Sequence, residues 1–174
     1  QDAAITLENT TRHISAEEAN GRYAHFLAEA GDLVIASSGI AVDKFEQKIA
    51  FLKKEHLPLC MNTSTIRFKS ISTDAEIRYL RFFMMTSFFK NQIRRQITGS
   101  AQLNFGPTHL EKCLIALPPL DEQQQICDCL TAVEEETNFL RMKVRRFSEQ
   151  KKGLMQKLLT GKVRVKVDAE TEQV

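Results

Sequence analysis

Apolar residues change their period several times along this chain, and each change marks an element. Up to about Glu29 the pattern is polar, and Ser15-Ala16-Glu17-Glu18 offers a helix start with Ser15 as its cap. Gly31 to Gly39 reads as a turn, a buried β-branched strand through Leu33-Val34-Ile35, and a second turn. Another strand is expected over Lys44 to Leu52. Across Ser64 to Ser70, Ile66 and Phe68 alternate with Arg67 and Lys69, which predicts a half-buried strand. From Asp74 to about Ile97 the period turns helical: Ile77, Leu80, Phe83, Met84, Phe88 and Ile93 predict one amphipathic helix covering the sheet, ended by Gly99. A turn at Pro107 to Lys112 then leads into a last apolar strand, Cys113 to Leu117, stopped by Pro118-Pro119.

The final period is the most regular. Ile126, Leu130, Val133, Thr137, Leu140, Val144, Phe147, Lys151, Leu154 and Leu158 hold a 4-3-4-3 spacing without a break, which is a coiled-coil seam. Over Glu122 to Leu159 such a helix extends about 57 Å. Thr137 and Lys151 interrupt the seam, either to fix register or because that stretch is wide and exposed. The fold class expected is α+β. A globular mixed α/β domain occupies 1–118 and is read as N-terminally incomplete, a long coiled-coil-forming helix occupies 119–161, and a polar tail occupies 162–174.

Charge changes the picture of that helix. Every charged residue between Asp121 and Glu136 is acidic, whereas ten of the eleven from Arg141 to Lys166 are basic, Glu149 being the exception. A helix complementing its own dipole accounts for the terminal residues but not for a whole half. A parallel partner sets acidic half beside acidic half. An antiparallel one brings Glu134 to Glu136 near Lys143, Arg145 and Arg146, so an antiparallel partner helix is expected.

Composition adds exclusions. With 43% apolar and 26% charged residues in 174, the chain has the make-up of one globular domain. No apolar run approaches the ~20 residues of a membrane span; Leu80 to Met85 is short and carries Arg81. No signal-peptide pattern opens the chain, and its start at Gln1 rather than Met fits a fragment or a trimmed chain. Cys60, Cys113, Cys127 and Cys129 show no Cys-x-x-Cys spacing and the four His are scattered, so reduced cytoplasmic thiols are expected rather than disulfides or a metal site. Catalytic residues are not expected either. Gly161-Lys162 lacks the phosphate-cradling spacing, and Glu134 to Glu136 point in different directions around a helix.

DNA binding fits the polar residues better. Lys90-Asn91-Gln92-Ile93-Arg94-Arg95-Gln96 forms a basic helix end leading into Thr98-Gly99-Ser100-Ala101-Gln102. Lys90, Arg94 and Arg95 are candidates to neutralise phosphates, and Thr98, Gly99, Ser100 and Gln102 to touch phosphate or base edges. Capping of a helix C-terminus by cations explains the same charges. Ser38 and Asn62 sit at strand ends, where DNA contact and plain turn formation compete. Arg67 and Lys69 are either solvent residues or contacts.

Three segments together carry a family resemblance: Gly31-Asp32-Leu33-Val34, the Gly99-Ser100-Ala101-Gln102 turn, and Pro118-Pro119-Leu120-Asp121-Glu122-Gln123-Gln124-Gln125-Ile126. With the helix close Leu158-Leu159-Thr160-Gly161-Lys162-Val163, the chain resembles the specificity subunit of type I restriction-modification enzymes from about Gly31 to Val165. Two departures stand out: there is no Trp, where such domains usually carry an Ile-Pro-Trp turn, and only one recognition domain and one spacer helix fit. The resemblance implies a non-catalytic subunit that reads one half of a split double-stranded DNA site. Its spacer helix, through Ile126, Leu130, Val133, Leu140, Val144, Phe147, Leu154 and Leu158, pairs with a second copy or a second specificity half. Modification subunits dock beside it and supply S-adenosylmethionine, so the chain itself needs no cofactor, and restriction subunits join that core in the cytoplasm. The competing class is a protein-assembly module, a globular head on an antiparallel coiled-coil stalk.

Overall fold

The computed structural model describes residues 13–38, 47–69, 73–96 and 105–166, and divides the chain into two units, residues 1–128 and 129–174. The first unit opens with α1 (Ala16–Asn20). Ser15 caps it as its sequence predicts: the Ser15 hydroxyl accepts from the Glu18 amide, and the Glu18 carboxylate accepts from the Ser15 amide. Gly31, at φ +94°, makes the turn into β1 (Leu33–Ala36), a backbone conformation that a side chain would strain.

β1 is the centre of a three-stranded antiparallel sheet, flanked by β2 (Ile49–Phe51) and β3 (Thr65–Phe68). The register places Leu33 between Phe51 and Phe68, and Ile35 between Ile49 and Ile66. That face gathers the main core with Met84, Phe89, Ile93 and Phe105. On the opposite face Val34 packs with Ala28 and Leu52 under Leu57, Leu59 and Met61. Because both faces are covered, the strand is apolar at consecutive positions instead of alternating.

The expected single helix over Asp74 to Ile97 is two helices, α2 (Ile77–Met85) and α3 (Ser87–Gln96). Thr86 divides them. It adopts an extended backbone, its hydroxyl donates to the Phe83 carbonyl and accepts from the Phe89 amide, so one side chain closes α2 and caps α3. The helix end assigned to Gly99 lies outside the described residues, as do Gly39 and the first residues of the strand expected from Lys44.

After α4 (Pro107–Leu110), the run Cys113 to Leu117 is not the strand expected from its apolar character. Side chains, not a neighbouring strand, hold its backbone at Leu114 and Ala116. The Gln92 amide accepts from the Leu114 N–H at 2.7 Å and donates to the Leu114 carbonyl at 2.8 Å, while Tyr79 Oη donates to the Ala116 carbonyl at 2.7 Å. The segment is thus strapped along the helical layer. Leu114 and Leu117 remain exposed.

α5 (Leu120–Leu158) is a continuous 39-residue helix, slightly earlier at both ends than its sequence period implies. Gly161, at φ +72°, follows it, with the Gly161 and Val163 amides donating to the Leu158 and Lys157 carbonyls. Within the first unit, α5 turns Gln123 and Cys127 inward, one helical turn apart. In the second unit the seam is bare: Leu130, Val133, Leu140, Val144, Phe147, Leu154 and Leu158 are 39% to 65% exposed. No described helix is long and apolar enough to cross a membrane.

Candidate nucleic-acid interface

Two of the polar positions singled out in the sequence, Ser38 and Asn62, lie beside the C-terminal end of β1. Ser37 is the tie point. Its amide donates to the Ser64 carbonyl at 2.8 Å, and its carbonyl accepts from the Phe105 amide at 3.1 Å. The first bond holds the Asn62 to Ser64 turn against the strand end. The second fixes the point where the chain returns after Gln102. Ser38, exposed, is the next residue out.

The other end of that connection leaves α3. Ile93 is fully buried in the same core as Phe105, and the following Arg94 and Arg95 are exposed on the last turn. Arg94 Nη1 donates to Asn91 Oδ1 at 2.8 Å, an i,i+3 contact along the helix surface. Lys90, one turn earlier than Arg94, is half-buried. Thr98, Gly99, Ser100 and Gln102 lie outside the described residues, but Gln96 and Phe105 on either side of them are placed.

Several polar residues that competed for a contact role are occupied within the fold. Asn62 Oδ1 accepts from the Ser64 amide and the Thr65 hydroxyl at 3.0 Å each, so this group builds the turn. Gln92 holds Leu114, and Gln96 Nε2 approaches Cys113 Sγ. Arg67 donates to the Leu27 carbonyl and lies 3.6 Å from the buried Asp32 carboxylate. Lys69 pairs with Glu29 at 2.8 Å, which draws the Glu29 carboxyl below its ordinary pKa through the Lys69 hydrogen bond and charge. Arg67 and Lys69 therefore tie β3 to the segment before β1.

One contact residue was invisible as such in the sequence. Gln123 is completely buried, and its single amide meets three backbone groups: Oε1 accepts from the Glu76 N–H at 2.9 Å, and Nε2 donates to the Asp74 and Pro118 carbonyls at 2.8 and 2.7 Å. Beside it Arg78 bridges Glu76 and Asp128 at 3.2 and 3.0 Å, and these acids raise the Arg78 pKa. The start of α5 is thereby locked to the segment that begins α2. Burial also raises the pKa of the Cys127 thiol on the same inward face.

Residues 3–145 match the family described as the type I restriction modification DNA specificity domain, more than half of the chain. The chain belongs to this family. It is a specificity component of such enzymes, not a catalytic one. Among curated relatives it is similar to the type I restriction enzyme MjaVIII specificity subunit of Methanocaldococcus jannaschii, 27% identical over 150 residues, covering 86% of this chain and 35% of that protein. Among solved structures it is similar to the HsdS subunit from Thermoanaerobacter tengcongensis, with a TM-score of 0.54 and 22% identity over 75% of this chain and 33% of that one. The specificity domain described here thus spans about a third of the length of those relatives.

Proposed function

We propose that this chain recognises one half of a split double-stranded DNA site and hands its position to partner subunits through α5. The observation that carries the reading is the placement of two exposed arginines, Arg94 and Arg95, where α3 enters the segment that Phe105 returns to the end of β1. Cations there would meet phosphates, Thr98, Gly99, Ser100 and Gln102 follow them directly in the sequence, and Ser38 stands exposed just beyond β1, which gives polar groups suited to base edges. Lys90 adds charge one turn back, and the Asn62 turn is held beside the end of β1.

In this reading the chain supplies no reacting group and carries no cofactor. Modification subunits would dock beside it with S-adenosylmethionine and flip the target adenine, restriction subunits would join them in the cytoplasm, and α5 would pair antiparallel with a second specificity half. The family match and the sorted charge of α5 support these assignments.

The test is duplex binding measured over a salt series. Arg94→Ala and Arg95→Ala should each weaken binding to any duplex and reduce the salt slope by about one unit, as expected when one phosphate contact is lost. Gln102→Ala should instead alter preference between sequences by about 1–3 kcal/mol if it makes a bidentate base contact. Unchanged affinity and slope in both Arg variants would assign the two side chains to helix capping. Absence of duplex binding in the wild-type chain and in its complex with modification subunits would favour the protein-assembly module.

A further inference from the structure

We infer that α5 pairs with α5 of a second copy of this chain in one defined antiparallel register, selected by Glu134, Glu136, Arg141 and Lys143. The inference rests on the antiparallel pairing proposed above and goes beyond it in fixing the occupant and the alignment. The starting point is the bare seam of the second unit, where Val133, Val144 and Phe147 are each more than half exposed. A seam repeating every seven residues stays closed only when two helices shift by whole heptads. The possible alignments are therefore few.

In one of them Val133 meets Val144 of the second copy, Leu130 meets its Phe147 and Thr137 meets its Leu140. The two-fold symmetry of a homodimer makes every such contact twice. The positions bordering the seam then bring Glu134 beside Arg141 and Glu136 beside Lys143, giving opposite charges on both edges. Sliding one copy by a heptad in one direction sets Glu134 against Glu134 and Glu136 against Glu136. Sliding it the other way sets Arg141 against Arg141 and Lys143 against Lys143. Both neighbouring registers thus exchange attraction for repulsion at the same sites. A parallel pair keeps only the contact between Glu136 and Arg141, and it presses Lys151 against Lys151 inside the seam. The chosen register instead faces Lys151 with Ile126.

Disulfide trapping tests the register. Within one helix, residues 134 and 141 are separated by about 10.5 Å of rise, beyond the ~7 Å Cα separation that a disulfide tolerates, so a link between them joins two copies. In a Cys129→Ser background, Glu134→Cys combined with Arg141→Cys should give an oxidised dimer whose linked peptides join 134 to 141. Glu134→Cys alone or Arg141→Cys alone should give little dimer; efficient self-linking of either single variant overturns the register. Charge reversal gives the second arm. Glu134→Arg with Glu136→Lys, and separately Arg141→Glu with Lys143→Glu, should each weaken self-association about tenfold or more, and an equimolar mixture should recover it as a heterodimer. Failure of the mixture to recover, or a wild-type chain that sediments as monomer at tens of micromolar, overturns the proposal. Duplex binding by the head is read separately, so failure of the register and failure of the DNA-recognition reading give different results.

Discussion

Replacing Gln123 with alanine should loosen the join between α5 and the rest of the first unit more than any other single polar change there. The side chain is completely buried and satisfies the Glu76 N–H and the Asp74 and Pro118 carbonyls. Alanine takes that partner from all three. An unmatched buried polar group costs about 1–3 kcal/mol, and water entering the vacated space recovers part of the sum, so a net loss of about 3 kcal/mol is expected. For a chain of this size each kcal/mol lowers Tm by about 2–4 °C, giving a drop of roughly 6–12 °C by calorimetry or circular dichroism. Gln124→Ala, at the exposed neighbour, should stay within about 0.5 kcal/mol of wild type. Gln123→Glu adds a signature in pH. Its carboxylate still accepts from Glu76 but faces two carbonyls where the amide donated, so burial and repulsion raise its pKa in the folded state. The protonated acid can donate; stability relative to wild type should therefore be better at pH 5 and fall as pH rises through the folded-state pKa. A Gln123→Ala protein as stable as wild type would refute the latch.

Three further outcomes follow from the contacts described. Arg67→Leu strands the buried Asp32 carboxylate without its cation and should cost about 3 kcal/mol in denaturant unfolding, with Lys69→Ala a much milder change. Iodoacetamide at pH 8 should alkylate exposed Cys129 well before Cys127, whose thiol is buried and raised in pKa; equal labelling rates by mass spectrometry would contradict the inward placement. Leu140→Asp with Val144→Asp should abolish any self-association seen by sedimentation while leaving the unfolding of the first unit unchanged, because both residues are exposed in the second unit.

Elements with a local cause were readable in the sequence. The Ser15 cap needs only the Glu18 side chain, β1 announces itself by consecutive apolar residues, and the α5 seam repeats far beyond chance. Elements with a non-local cause were not. The apolar period runs straight through Thr86, where the structure ends α2 and begins α3. Cys113 to Leu117 has the composition of a strand, yet its hydrogen bonds come from Gln92 and Tyr79, residues distant in sequence. The same blindness affected the candidate site. Gln92, a member of the basic run that ends α3, is held by Leu114, while the lead-in to α5 was recognised as a pattern without revealing that Gln123 is its anchor. The basic end of α3 was legible because exposed charge next to a buried Ile93 is a property of the helix period itself.

The Gln123 latch has a consequence for how such a protein can change. Its amide grips only main-chain groups, an N–H at Glu76 and carbonyls at Asp74 and Pro118. Main-chain groups are common to every amino acid except for the missing donor of proline, so side chains at those positions can be exchanged without undoing the grip. The amide's grip is therefore indifferent to the side chains of the residues it holds, while the Arg78 bridge beside it still depends on Glu76 and Asp128. A domain fastened in this way can alter what its surface recognises and still present the same socket to the same helix.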